Sequence, residues 1–189
     1  MNGHVDKPGT GELHARAAAV KLLVLDVDGV LTDGGLYYGP AGEALKRFDV
    51  KDGHGIVMAR LSGLRTAVLT ARQSDMVAVR GRELGMVAVY QGKRDKAAGF
   101  RELCTELQVS PAECAYMGDD TNDLPVLQVC GLPACPADAV PEVRAASAFI
   151  ARSAGGHGAV RELVELCLKA SGRWEAALGH ATGALPARG

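Results

Sequence analysis

The sequence predicts an α/β fold: a three-layer sandwich with a central parallel sheet, helices on both faces and one β-hairpin flap. Three observations carry this reading. Short apolar runs alternate along the chain with amphipathic segments of roughly 10–15 residues, the pattern of repeated strand–helix–strand units. Those runs are almost continuously apolar rather than alternating, as strands buried on both faces require. No internal repeat or long linker interrupts the series.

Taken in order, Lys21–Val27 (KLLVLDV) is an apolar run that ends in acid and suits a buried strand. Leu36–Tyr38 and Ala44–Val50 flank the turn Gly39-Pro40-Ala41-Gly42, which predicts a short hairpin with an exposed tip. Asp52–Leu61 has helical spacing and stops before Gly63. Leu64–Thr70 is a second strand of the sheet, Ser74–Leu84 a helix closed by Gly85, and Met86–Tyr90 a third strand. Asp95–Leu107 repeats Ala98, Leu103 and Leu107 near helical spacing. Ser110-Pro111-Ala112-Glu113 is a cap-like turn before the strand Cys114–Met117. Asn122–Val129 reads as a short helix, Leu132–Cys135 as a strand, Pro141–Ala146 as a helix and Ala148–Ala151 as the last strand. Gly158–Ser171 is the final helix. Residues 1–18 and 172–189 read as weakly ordered tails around a domain spanning 19–171, because the first is polar and the second rich in Gly, Ala and Pro.

Composition narrows the function. A chain of 189 residues with 48% hydrophobic residues builds one sizeable core. With 21 basic against 22 acidic residues the net charge is −1, so no global basic field exists to hold nucleic acid or an anionic membrane. No apolar run approaches the roughly 18 residues of a membrane helix. The N-terminus lacks the apolar stretch of a secretory signal. Five cysteines (Cys104, Cys114, Cys130, Cys135, Cys167) form no CxxC pair, which reads as buried thiols in a reducing cytoplasm.

In parallel sheets of this kind, ligands bind beyond the carboxyl ends of the strands. Four such ends carry polar residues: Asp26-Val27-Asp28-Gly29, then Thr70-Ala71-Arg72, then Lys93, Arg94 and Lys96, and last Gly118-Asp119-Asp120 with Asp123 close behind. Carboxylates so close repel unless a cation or a shared proton intervenes. Hard oxygen donors without His or Cys suit Mg²⁺. A lysine and a threonine hydroxyl beside them suit a phosphoryl group, with an aspartate as its acceptor. An isolated DxDG is also a common turn or Ca²⁺ loop, but Val30 stands where an EF-hand needs a third oxygen. A response-regulator receiver uses acids, Thr and Lys too, yet its acidic pair ends the first strand and its phosphorylated Asp comes later, the reverse of the order here.

Asp26-Val27-Asp28-Gly29-Val30-Leu31-Thr32 resembles the DxDGxxT signature of the haloacid dehalogenase-like phosphatases. Thr70, Lys96 and Gly118–Asp123 are similar to that superfamily's other motifs, and the match runs from about Lys21 to Ser171. Within the superfamily, the stretches FDVKDGHGI, YQGKRDK, YMGDDTNDLPVL and GGHGAVREL resemble the cap-less group acting on 3-deoxy-D-manno-octulosonate 8-phosphate.

The resemblance implies a Rossmann-like fold and a Mg²⁺-dependent phosphatase. Asp26 is then the nucleophile and Asp28 the acid and base. Thr70 and Lys96 hold the phosphoryl group, with Lys93 as the competing lysine. Asp26, Asp28 (through its carbonyl) and Asp119 hold the metal, and Asp120 and Asp123 either reach it through water or orient its ligands. Asp49, Val50, Lys51, Asp52, Gly53 and Arg72 contact the sugar acid, together with Asp28 and Lys96. Arg80 either joins them or lies on a solvated helix face. Lys46 and His54 read as surface or packing residues, and His157 as a loop histidine. Departures from the group's pattern at Asp49, Val57, Ala71 and His157 leave the phosphoryl-transfer set intact and bear on the exact sugar.

Only about 40 residues separate Asp28 from Thr70 and about 25 separate Thr70 from Lys96, too few for a cap domain. The resemblance therefore implies a cytoplasmic homotetramer, closed at each site by a neighbour's hairpin over Leu36–Val50, and a place in lipopolysaccharide biosynthesis. Two alternatives stand beside it: a phosphatase for nine-carbon keto-acid phosphates, and a non-catalytic oligomerisation module of the kind attached to CMP-sialate synthetases.

Overall fold

The computed structural model describes residues 9–183. Six strands build a parallel sheet: β1 (Leu22–Leu25), β4 (Arg65–Leu69), β5 (Ala88–Tyr90), β6 (Cys114–Met117), β7 (Leu132–Cys135) and β8 (Phe149–Ile150). They stand in the order β5-β4-β1-β6-β7-β8. β2 (Tyr37–Gly39) and β3 (Gly42–Leu45) form a separate antiparallel hairpin. β1 is central and wholly buried, with Leu22 opposite Arg65 on one side and Cys114 on the other.

Alternation along β1 divides the core in two. Leu23 and Leu25 face one layer, built from α1 (Thr10–Ala18), α2 (Val50–Leu61), α3 (Asp75–Leu84), α7 (Ala159–Ala170) and α8 (Trp174–Ala181). Leu22 and Val24 face the other, built from α4 (Lys96–Glu106), α5 (Leu124–Leu127) and α6 (Pro141–Ala146). This is the three-layer α/β sandwich the sequence predicts, with all six sheet strands where the apolar runs place them.

Local chemistry sets the boundaries. Asp49 accepts hydrogen bonds from the Lys51 and Asp52 amides at 2.7 and 3.4 Å and so starts α2. Asp95 does the same for α4 through the Ala98 amide. Gly85 ends α3 in the left-handed conformation, at φ 68°. Ser110 and Glu113 close a capping box around the 3-10 turn Pro111–Glu113.

The two tails differ from expectation. Residues 10–18 form α1, which buries Ala17 against the α2/α7 layer. Residues 174–181 form α8, anchored by Ala177 in the core and by Trp174, whose ring lies 4.6 Å from the Lys169 ammonium. Small residues in both helices let them sit close on the sheet-covering layer, a tertiary gain that local composition does not reveal. The remaining tail residues, 1–8 and 184–189, lie outside the described region. Cys104, Cys114, Cys135 and Cys167 are buried, and Cys130 is half-buried. Among the described residues, no helix is long and apolar enough to cross a membrane.

Candidate active site

The chain leaves β1 for β4 and β5 on one side, then returns to lay β6 on the other side of β1. That reversal opens a crevice at the carboxyl ends of β1 and β6. Asp26 follows β1, Thr70 follows β4, and Gly118-Asp119 follows β6. A cleft of about 230 Å³ lies there, lined by Asp26, Asp28, Thr70, Arg72, Lys96 and Asp119 among others.

Asp26 is held from two sides. The Val27 amide donates to its Oδ1 at 2.6 Å, and Lys96 Nζ donates to its Oδ2 at 2.5 Å. Lys96 is the first residue of α4, and its side chain is fully buried. Its second bond goes to Asp123 Oδ1, also at 2.5 Å. Asp123 is likewise fully buried. The hydroxyl of Tyr116 donates to its Oδ1 at 2.5 Å, and the Asp119 and Asp120 amides donate to its Oδ2 at 3.0 and 3.3 Å. Asp123 therefore ties β6, the GDD loop and α4 together. Asp120 accepts from the Thr121 amide at 2.6 Å and starts the 3-10 turn that carries Asp123.

Carboxylate oxygens of Asp26, Asp119 and Asp123 lie within 4.8 Å of one another. One ammonium faces these three acids. Burial pushes the Asp26 carboxyl up to about 6, with Lys96 opposing and Asp123 adding to the rise. Burial, with repulsion from Asp26 and Asp123, pushes Asp119 up to about 7. Burial disfavours the Lys96 charge, but Asp26 and Asp123 outweigh it and hold the ammonium above its ordinary value. A pocket of hard oxygen donors short of positive charge fits a hard divalent cation. Asp123 accepts two protein donors on each oxygen, whereas Asp26 accepts one on each, so Asp26 and Asp119 are the carboxylates with more capacity left for an ion.

Gly29 makes this approach possible. It sits at φ 83°, and a Cβ there would run into the Asp119 carboxylate. Gly118 has the same constraint against Asp123.

The structure separates the two candidate lysines. Lys93 pairs with Glu102 at 2.6 Å and lies 4.9 Å from the Tyr90 ring, away from the cleft. Lys96 is the lysine of the site.

Of the expected sugar contacts, Arg72, Asp28 and Lys96 line the cleft. The segment from Asp49 to Gly53 is not part of that lining. Asp49 caps α2, Val50 is 80% exposed and Lys51 is exposed. Asp52 points the other way: only 1% exposed, its carboxylate accepts from the Gly158 and Arg161 amides at 3.1 and 2.8 Å and caps α7. Gly53 is buried against the Arg80 guanidinium, which also lies 5.9 Å from the Phe48 ring and pairs with Glu83 at 3.2 Å. These residues sit at the start of α2, one layer below the sheet end, so nearness in sequence to the hairpin does not bring them into this chain's cleft. His54 is exposed, and His157 hydrogen-bonds the Gly155 carbonyl within its own loop at 2.8 Å.

Three residues escape the sequence reading. Lys46, read as a surface or packing residue, reaches Asp28 with a side chain that is 1% exposed. Glu43 pairs with both Lys46 and Arg72, at 3.1 and 2.9 Å. Tyr116, inside an apolar strand, turns out to carry a hydroxyl aimed at Asp123. For Tyr116 the signal was there: a buried tyrosine near a strand end needs a partner.

Comparison with known proteins then decides the family. A model described as haloacid dehalogenase-like hydrolase matches residues 65–163. The 3-deoxy-D-manno-octulosonate 8-phosphate phosphatase KdsC of Escherichia coli strain K12 is 42% identical over 173 residues, 92% of each chain. This chain belongs to the haloacid dehalogenase-like hydrolase family. Solved family members share its shape. The 3-deoxy-D-manno-octulosonate 8-phosphate phosphatase of Moraxella catarrhalis, in complex with magnesium ion, phosphate ion and KDO, superposes with a TM-score of 0.88 at 37% identity. That likeness covers 93% of this chain and 99% of the other. The cobalt-bound form of the Haemophilus influenzae phosphatase gives 0.85 at 37% identity, covering 90% and 99%.

Proposed function

We propose that this chain is a Mg²⁺-dependent phosphatase that hydrolyses 3-deoxy-D-manno-octulosonate 8-phosphate to the sugar acid and phosphate through a phosphoaspartate. The observation that carries it is the Asp26 carboxylate, buried at the strand-order reversal, fixed by Lys96 and Val27, and set against Asp119 within one cluster.

Asp26 and Asp119, with the Asp28 carbonyl, would hold Mg²⁺, which supplies charge neutralisation for the phosphoryl oxygens and for the acids around it. Asp123 and Asp120 orient these ligands through the hydrogen bonds described above. Asp26 attacks phosphorus in line. The bond from phosphorus to the sugar oxygen breaks, and Asp28 gives that oxygen a proton. Asp28 then takes a proton from the water that attacks the phosphoaspartate, releasing phosphate and restoring Asp26. Lys96 and Thr70 face the phosphoryl group, and their donors stabilise charge that develops there. Arg72 lines the cleft and places a positive charge beside Asp28, where the sugar's carboxylate would meet it.

The hairpin supports a closed oligomer. Leu36, Tyr37, Tyr38 and Leu45 are exposed together on this one hairpin, apolar side chains that a neighbouring subunit would cover. A homotetramer in which a neighbour's hairpin covers each cleft would bury them and exclude water. It would also bring the exposed Val50 and Lys51 of one subunit near the site of another. The reading carries with it a cytoplasmic enzyme that supplies the sugar acid for lipopolysaccharide assembly, with residues 19–171 as its catalytic domain.

The test is phosphate release from a panel of eight- and nine-carbon keto-acid phosphates and hexose phosphates, with and without Mg²⁺. The eight-carbon substrate is expected to be fastest, and Asp26→Asn to abolish turnover. A fast hexose phosphate with poor keto-acid phosphates would overturn the substrate, and near-wild-type activity in Asp26→Asn would overturn the mechanism.

A further inference from the structure

We propose that Lys46 is a positioning residue for Asp28, through which the hairpin holds the acid–base carboxylate in line with the leaving oxygen. The inference rests on the acid–base reading of Asp28 above.

Lys46 follows β3 on an otherwise open hairpin. Its neighbours face solvent: Leu45 is 64% exposed and the Arg47 side chain 45%. The Lys46 side chain is 1% exposed. A buried ammonium is costly unless it is paired. Lys46 has two anionic partners, Asp28 Oδ1 and Glu43 Oε1, the latter at 3.1 Å. Arg72 stands on the other side, 3.5 Å from Asp28 Oδ2 and 2.9 Å from the same Glu43 oxygen. Each oxygen of Asp28 thus faces its own cation, and one glutamate ties both cations in place.

This closed square fixes the plane of the Asp28 carboxyl. Asp28 itself sits in a tight turn before Gly29, where the backbone alone leaves its side-chain torsions free. An acid–base group must come within roughly 2.6–3.2 Å of the oxygen it serves. A misplacement of about 1 Å costs on the order of 10²-fold in rate. During phosphorylation of Asp26, the electron pair of the breaking phosphorus–oxygen bond goes to the sugar oxygen, and the proton that balances it comes from Asp28. Losing the Lys46 contact leaves the Asp28 carboxyl in the cleft but poorly aimed at that oxygen.

The cleanest readout is leaving-group dependence. kcat/KM covers steps only through leaving-group departure. A 4-nitrophenolate leaves without a proton, whereas a sugar alkoxide needs one. Lys46→Met keeps the stem and removes the charge. It is expected to lower kcat/KM on the sugar-acid phosphate at least about tenfold more than on 4-nitrophenyl phosphate, with Lys46→Arg restoring most of the difference. Equal losses on the two substrates, or no loss on either, would overturn the proposal. Lys46→Gln replaces Lys46→Met if the latter fails to fold, with the same expectation. Asp28→Asn is measured alongside. If it is selective against the sugar substrate while the Lys46 variants are not, the Lys46 proposal alone fails. If Asp28→Asn shows no selectivity, the acid–base reading fails, and this proposal with it.

Discussion

Lys96 Nζ donates to Asp26 Oδ2 at 2.5 Å, joining the first residue of α4 to the residue that follows β1 across 70 positions of sequence. The same ammonium meets Asp123 at 2.5 Å, so one buried charge serves two acids. Removing it leaves uncompensated carboxylates. Breaking a buried pair of this kind costs about 3–5 kcal/mol. Lys96→Met is expected to lose that much stability in urea unfolding without divalent ions. Its turnover should fall by about 10² or more at saturating Mg²⁺. Wild-type stability would show that the ammonium does not neutralise the cluster.

The acid cluster also fixes a dependence on pH. Asp26 at about 6 and Asp119 at about 7 both stand above the ordinary 3.8 of the unfolded chain. Between those limits the native protein binds more protons than the unfolded one, so its stability without metal falls as pH rises. Mg²⁺ relieves the same repulsion and should raise the thermal midpoint more at about pH 8 than at about pH 5. A larger Mg²⁺ effect on the acid side would contradict the assignment.

Gly29 offers a steric test of the metal pocket. Alanine there must adopt φ 83° and drive its methyl into the Asp119 carboxylate. The backbone strain alone is about 1–2 kcal/mol. Gly29→Ala is expected to weaken Mg²⁺ dependence, seen as a rise in the metal concentration for half-maximal phosphate release. An unchanged metal requirement would mean that Asp119 tolerates displacement.

Asp52 separates a structural carboxylate from those that line the cleft. It spans the start of α2 and the start of α7. Asp52→Ala should destabilise the protein by about 0.5–2 kcal/mol, the range for losing a helix cap. Its KM should stay within about twofold, a margin of roughly 0.4 kcal/mol. A large rise in KM with stability intact would return Asp52 to the substrate site.

The hairpin prediction concerns assembly. Tyr38 is 66% exposed and Leu45 64%. Tyr38→Glu combined with Leu45→Glu is expected to reduce the mass in light scattering from tetramer to smaller species and to lower activity. A wild-type chain that is active as a monomer would overturn the tetramer.

Much of this molecule was readable in one dimension. The strands from Lys21 to Ala151 announce themselves because burial on both faces forces continuous apolar runs. Asp26, Thr70, Lys96 and Asp119 were readable because each ends a strand or opens the helix after one, where a parallel sheet collects its ligands. Asp52 stands in the first turn of α2 and Lys46 just past β3, where the path of the chain around the hairpin, not periodicity, decides which way a side chain points. The helical tail segments were missed because helices of nine and eight residues are marginal alone, even when Ala-rich, and form only when a neighbouring face, here that of α7 and α2, buries them.

The amino-acid sequence by itself determined the α/β class, the strand order's raw material and the residue types that handle a phosphoryl group, because these follow from burial and from the chemistry of carboxylate, ammonium and hydroxyl. The tertiary structure alone decided which acids share one ammonium, which lysine enters the cleft, and that Lys46 and Glu43 reach back to Asp28. Those are through-space distances of a few ångströms between residues far apart in the chain. Only the crossing of β1, β6 and α4, and the fold-over of one hairpin, bring them about.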